Sequence, residues 1–471
     1  MKRRIQRQPG TTMAAALCAM ALLVGCAACG APAPGTTGAP ESAAAQTDTS
    51  AAETTGTVPA HTTQAETTAA NTTQAGSAAQ GTDTESPKEG RLQGLEPVAA
   101  FSKTFADGYD GFALELIQRT QQEGKNGFVS PASVYLALGM TANGAAGKTA
   151  EELYAALGVT DGDALNRGCR DLQSRLTDNT FRLANGIWIN QEKARDILPA
   201  FIAANREYFG AQLAAAPFDA ALTKEINSWV ADNTAGRIRD LLKEPLDPEG
   251  RMVLVNTLLF EDAWQVPFTK VEESIFHGAQ EDVTLPFMYR MLVGKPYYED
   301  AQVQATRVPF SQADVSMLFV LPKTEGAAAL DSWIKNLTAE QLRALVSSTD
   351  TTPKLELTVP RCKLSYDESL AGPLQEMGIR AAFDAGRADF SRLTADGGVY
   401  IGDVPHRTEL EMDEKGVLAA AATGVTLRGV ALRPPEDEGK VMRLDRPFFC
   451  AIVDNATGAV LFGGAVSQPR Q

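Results

Sequence analysis

The chain has 471 residues, 44% hydrophobic and 21% charged, which is enough apolar material for a large core. Its net charge of −15 excludes a general nucleic-acid binder, which needs a basic face, and also opposes direct adhesion to anionic lipid. The only histidines are His61, His277 and His406, and no Gly-x-Ser-x-Gly motif accompanies them, so neither a metal centre nor a Ser-His-Asp hydrolase is expected.

Lys2, Arg3, Arg4 and Arg7 open the chain and an apolar run follows at 13–24. A run this short falls well below the ~20 residues that a membrane-spanning helix needs, and it fits a secretory signal. It ends in Leu23-Val24-Gly25-Cys26, which resembles a bacterial lipoprotein lipobox. The resemblance implies cleavage before Cys26 and lipid on its sulfur, hence a protein anchored to the bacterial membrane with its domain outside the cytoplasm. Each buried CH₂ contributes about 0.8 kcal/mol, so two or three acyl chains hold firmly.

Residues 1–25 are therefore expected to be a signal peptide, 26–96 a lipidated tether and 97–471 one folded domain. Between 31 and 87 there is no Lys, Arg or aromatic residue and one large aliphatic, Val58. Such a segment buries too little apolar surface to offset its ordering entropy, so disorder is expected there. Its r.m.s. reach as a coil is on the order of 40–50 Å.

Apolar spacing becomes regular after Val98. Phe105, Tyr109, Phe112, Leu114 and Ile117 predict a helix over 101–122, and two more are expected over 133–142 and 149–157. Thr149 with Glu152 three residues on suggests a capping box. Later segments alternate as strands do: Val315, Met317, Phe319, Leu321; then Leu355, Leu357, Val359; then Val460 and Phe462. Helices first and strands later imply an α+β class. Cys169, Cys362 and Cys450 are too few and too scattered for a disulfide framework. They read as small buried hydrophobes, with one disulfide among them as the alternative.

Several collinear segments of this domain look like those of serpins, the serine protease inhibitor family. They are Asn126-Gly127-Phe128-Val129-Ser130-Pro131-Ala132-Ser133, the Gly-rich turn from Asn143 to Thr149, Ile226-Asn227-Ser228-Trp229-Val230, and Thr234-Ala235-Gly236-Arg237-Ile238. Val255-Asn256 to Phe260, Trp264 to Phe268, Asp445-Arg446-Pro447-Phe448 and Leu461-Phe462-Gly463-Gly464 continue the series. The resemblance implies a serpin fold, with helices packed on mainly antiparallel sheets and an exposed reactive loop. It also implies a monomeric suicide substrate without a cofactor, which a serine protease cleaves and becomes acyl-linked to while the loop inserts into the main sheet. By the same resemblance Ser130, Ser133, Asn256 and His406 form a shutter beneath that sheet, and Trp264 marks the breach where the loop first enters it.

In the family pattern the loop's hinge falls on Glu414-Lys415-Gly416-Val417-Leu418-Ala419-Ala420-Ala421-Ala422-Thr423. An inserting strand turns alternate side chains inward, so one set must be small and uncharged. That set is Val417, Ala419, Ala421 and Thr423, while Gly416 is expected to permit a bend. The seventeen residues from Glu414 to Val430 set the scissile bond at Val430-Ala431, which suits an elastase-like pocket. Ala431-Leu432 and Arg428-Gly429 remain alternatives, the latter for a trypsin-like enzyme. A non-inhibitory surface lipoprotein with the same fold, acting in binding or carriage, is the second functional reading.

Overall fold

A computed structural model of the chain describes residues 16–26 (as backbone), 90, 92–177, 179–192, 197–395, 398–417 and 439–470. Strand β1 (Ala16–Cys26) comes first in the chain. Helix α1 (Lys103–Thr120) starts where the Ser102 hydroxyl accepts the Phe105 amide, and it buries Phe105, Tyr109, Phe112 and Leu116 on one side. Helix α2 (Pro131–Ala142) is buried on every side. Ser130 caps it by accepting the Ser133 N–H, and Pro131 sits where no amide partner is required.

Helix α3 (Gly147–Ala156) departs from the capping-box expectation, because Ala146 precedes it and offers no side-chain cap. Thr149 is buried within the first turn and its hydroxyl accepts the Asp389 N–H at 2.9 Å. The Glu152 carboxylate accepts the amides of Arg380 and Ala381 at 2.8 and 2.6 Å. Both side chains thus tie the helix to a distant segment, and tertiary partners outcompete the local cap.

The chain continues through α4 (Gly162–Ser174), β2 (Phe181–Asn190), α5 (Pro199–Phe209), β3 (Gln212–Ala216) and α6 (Ala220–Asn233). A strand-rich stretch follows: β4 (Met252–Phe260), β5 (Asp262–Ala263), β6 (Lys270–His277), β7 (Asp282–Glu299), β8 (Val303–Pro309) and β9 (Val315–Pro322). After α7 (Ala327–Asn336) and α8 (Ala339–Ser347) come β10 (Thr351–Pro360), β11 (Cys362–Ser369) and α9 (Ala371–Glu376). The last strands are β12 (Val399–Asp403), β13 (Pro405–Met412), β14 (Gly416–Val417), β15 (Lys440–Arg443), β16 (Phe448–Asp454) and β17 (Val460–Val466). The alternating runs read from the sequence fall on β9, β10 and β17.

Two sheets organise the domain, with the class α+β as expected. The first runs β3-β2-β4-β1-β13-β14-β5, with β11 beside β13 and β12 beside β1. The second runs β15-β10-β7-β8-β9-β16-β17, with β6 beside β7. Strand β4 is buried along its whole length because the first sheet is covered on both faces. Met252, Leu254, Leu258 and Phe260 join the main core, whereas Val253, Val255 and Leu259 pack with Ile226, Trp229 and Val230 of α6. Strand β1 lies between β4 and β13, antiparallel to both. Cys169, Cys362 and Cys450 are free thiols, all buried, so the small-hydrophobe reading holds and the disulfide alternative falls.

Candidate functional site

Strand β13 leaves the centre of the first sheet and turns back within three residues. The Asp413 carboxylate accepts the amides of Lys415 and Gly416 at 2.8 and 3.1 Å, an Asx turn. The turn closes with the Asp413 N–H donating to the Gly416 carbonyl at 3.1 Å, and Val417 falls opposite Met412. Gly416 and Val417 pair on their other side with Ala263 and Asp262 of β5.

Gly416 is required here, though not for the expected bend. Its φ lies outside the left-handed region, but a Cβ on it would sit 2.3 Å from the Asp262 carbonyl oxygen and 2.6 Å from the Ala263 Cα. Close backbone approach is therefore the reason for glycine. Val417 is fully buried.

Trp264 closes the top of this hairpin. Its ring stacks on Phe310 at 4.6 Å and meets Phe268 edge-on at 5.7 Å. The indole N–H donates to the Asp413 carbonyl at 2.8 Å, and its main-chain N–H donates to that of Lys415 at 2.8 Å. The Phe268 amide donates to the Glu414 carbonyl at 2.9 Å, so Asp413, Glu414 and Lys415, the three residues before Gly416, are all held from one side. Glu414 also meets Arg361 at 2.5 Å in a partly exposed ion pair that the sequence reading did not contain.

The shutter residues do converge beneath the same sheet. His406 on β13 is buried, and its Nε2 accepts the Ser130 N–H at 3.3 Å. Burial lowers its pKa to about 3, so the ring is neutral at physiological pH. The Ser130 hydroxyl donates to the Leu461 carbonyl at 2.8 Å, and the Ser133 hydroxyl bonds to Asn256 Oδ1. Asn256 then donates through Nδ2 to Asn185 Oδ1 at 2.7 Å, and Asn185 donates to the Phe209 carbonyl at 2.8 Å. Asn185 is the member that sequence reasoning missed. The signal was present, since Asn185 is a polar residue in the apolar run Leu183-Ala184-Asn185-Gly186-Ile187-Trp188.

Between β4 and β13, the strands that carry Asn256 and His406, runs the path that β1 occupies. Met20 is in register with Asn256 on one side and His406 on the other, which places the middle of β1 level with the shutter. Ala419, Ala421, Thr423, Arg428, Val430, Ala431 and Leu432 lie outside the described residues. Cys26 is the last residue of β1. Among the described residues no group of three or more His, Cys, Asp or Glu could hold a metal ion, and no helix is long and apolar enough to cross a membrane.

The family model described as Serpin (serine protease inhibitor) matches residues 107–469. Iripin-2 of Ixodes ricinus is 32% identical over 359 residues, covering 73% of this chain and 88% of its own length. A leukocyte elastase inhibitor of Bos taurus is 32% identical over 378 residues, covering 76% and 97%. Among solved structures, the thermophilic serpin tengpin in its native state superposes with a TM-score of 0.68 at 27% identity, over 79% of this chain and 97% of tengpin. With the matched model spanning most of the chain and the fold shared with solved members, this protein belongs to the serpin family.

Proposed function

We propose that this serpin is an irreversible suicide-substrate inhibitor of an elastase-like serine protease, and not itself an enzyme. The supporting observation is the β13–β14 hairpin: Val417, fully buried, lies opposite Met412 and aims the chain back along β13. Continuing that register in steps of two brings Ala419 level with Leu410, Ala421 with Thr408 and Thr423 with His406. Each inward position then receives a small residue, and the one beside the shutter brings a hydroxyl to a polar layer. A charge at any of them would be buried without a partner.

In the proposed reaction the protease serine Oγ attacks the Val430 carbonyl carbon. The Val430–Ala431 C–N bond breaks, the Ala431 amine departs with a proton, and Val430 remains as an ester on the protease. The freed hinge then enters the central sheet as a strand antiparallel to β4 and β13, the arrangement β1 has, before water can reach the ester. Cleavage before Cys26 removes residues 16–25, ten of the eleven in β1, and leaves that path to the loop.

The remainder of the proposal concerns display. Residues 1–25 act as the signal, lipid on Cys26 fixes the protein to the outside of a bacterial cell membrane, and residues up to 96 serve as the tether of a monomeric domain. The net charge of −15 leaves the lipid as the sole membrane contact.

The test incubates the protein with pancreatic elastase, neutrophil elastase, trypsin and subtilisin, followed by denaturing gels and mass spectrometry of the released fragment. An SDS-stable complex with an elastase and a fragment beginning at Ala431 are expected. A fragment beginning at Gly429 reassigns the target to a trypsin-like enzyme, and one beginning at Leu432 shifts the bond by one residue. Free turnover by every protease overturns inhibition in favour of the non-inhibitory reading. Loss of acyl-lipid labelling in Cys26→Ala tests the anchor.

A further inference from the structure

Strand β5 is two residues long, yet it carries the hinge, and what holds β5 itself is Asp262. This side chain is 2% exposed and faces the β8–β9 turn. One carboxylate oxygen accepts the Ser311 hydroxyl at 2.7 Å, and the other accepts the amides of Gln312 and Ala313, both at 2.9 Å. Two backbone bonds flank it, with the Ser311 N–H donating to the Ala263 carbonyl at 2.8 Å and the Gln265 N–H to the Pro309 carbonyl at 3.0 Å.

A buried carboxylate is tolerable only when its lone pairs are filled, and three donors fill them here. Those donors come from a turn some fifty residues further along the chain, so they cannot be explained as local capping. The same residue's main chain is the surface on which Val417 pairs, and its carbonyl oxygen is the atom that excludes a side chain from Gly416. One residue therefore faces the hinge with its backbone and the rigid sheet with its side chain.

We infer that Asp262 is a positioning residue of the inhibitory mechanism: it locks β5 onto the β8–β9 turn and thereby sets how firmly Gly416 and Val417 are held between β5 and β13, the point from which the inserting strand extends. The inference rests on the inhibitory reading for its meaning, but the lock is measurable without any protease. Bonds to an ionised acceptor are stronger than neutral ones, so their loss frees β5 and the hinge together.

The experiment measures amide hydrogen exchange in the full-length chain, resolved to segments 262–268 and 412–417. These hold the Trp264 and Phe268 amides, which donate to Lys415 and Glu414, and the Asp413 amide, which donates to Gly416. Asp262→Ala should raise exchange in both segments about tenfold or more, the scale expected when a charge-assisted bond is lost. Asp262→Asn, which retains one acceptor oxygen, and Ser311→Ala, which leaves β5 untouched, should give smaller rises in the same direction. Val346→Ala in the remote helix α8 serves as the control and should lower global stability without selective exchange at the hinge. The inhibitory activity of the Asp262 variants should also decay faster on warming.

Hinge exchange within about twofold of the parent in Asp262→Ala, or in Asp262→Asn and Ser311→Ala if the alanine variant does not fold, overturns the inference. Selective hinge exchange in a chain that forms no protease complex supports the lock and removes the inhibitor reading instead.

Discussion

Asn256 and Asn185 lie opposite each other on β4 and β2, and the Asn256 amide donates to the Asn185 carbonyl oxygen at 2.7 Å with both side chains fully buried. The pair links Ser133 on α2 to the Phe209 carbonyl at the end of α5. Asn185→Ala strands a donor on Asn256 and an acceptor on Phe209. We expect a loss of about 1–3 kcal/mol in urea unfolding, since each stranded buried group carries its desolvation penalty. A loss below a few tenths would mean that water replaces the side chain.

Val417→Arg should convert the inhibitor into a substrate. Val417 is fully buried opposite Met412. A buried, unpartnered charge at the root of the inserting strand should hinder insertion, so the moles of serpin consumed per mole of protease blocked should rise about tenfold or more. Unchanged stoichiometry on a titration would refute the inward assignment.

Glu414 and Arg361 should matter modestly. Their side chains are 25% and 39% exposed, so solvent screens the pair. Glu414→Lys replaces attraction by repulsion at the top of the sheet, with an expected loss of about 1 kcal/mol seen as a lower thermal midpoint. The double exchange Glu414→Lys with Arg361→Glu should recover most of it. Equal losses in the single and double variants would show that packing, not charge, dominates.

His406 gives the protein an acid-sensitive element with a definite sign. Its folded pKa, about 3, lies below the ordinary 6.5, so the unfolded chain binds the proton first. The stabilisation is complete above pH 6.5 and is lost progressively as pH falls towards 3. At pH 5, 1.5 pH units below the ordinary value at about 1.4 kcal/mol each, the loss is about 2 kcal/mol. His406→Gln should flatten the pH dependence of urea stability between pH 6.5 and 5. A slope unchanged by the substitution would place the sensitivity elsewhere.

The α+β class, the helices near 103–120 and 131–142 and the strands β9, β10 and β17 were legible because their apolar residues repeat at helical or strand spacing. Asn185 was not, because one asparagine in an apolar strand announces burial without naming its partner, and only the β2–β4 register supplies Asn256. The close backbone approach at Gly416 was not legible, since the atoms that forbid a Cβ belong to β5, some 150 residues away in sequence. Thr149 and Glu152 fit a local cap by spacing, yet their bonds run to residues beyond 379. Pairings of high sequence separation are what a linear reading cannot supply.

Trp264 has a consequence for how this molecule can be watched. Its indole is sandwiched between Phe310 and Phe268, with its one donor committed to the Asp413 carbonyl. The other tryptophans are placed differently: Trp188 and Trp229 meet edge-on beneath α6, and Trp333 packs against Phe449. The chain thus carries a native fluorophore bonded to the turn from which the proposed insertion would start, and that proposal can be followed optically without attaching a dye.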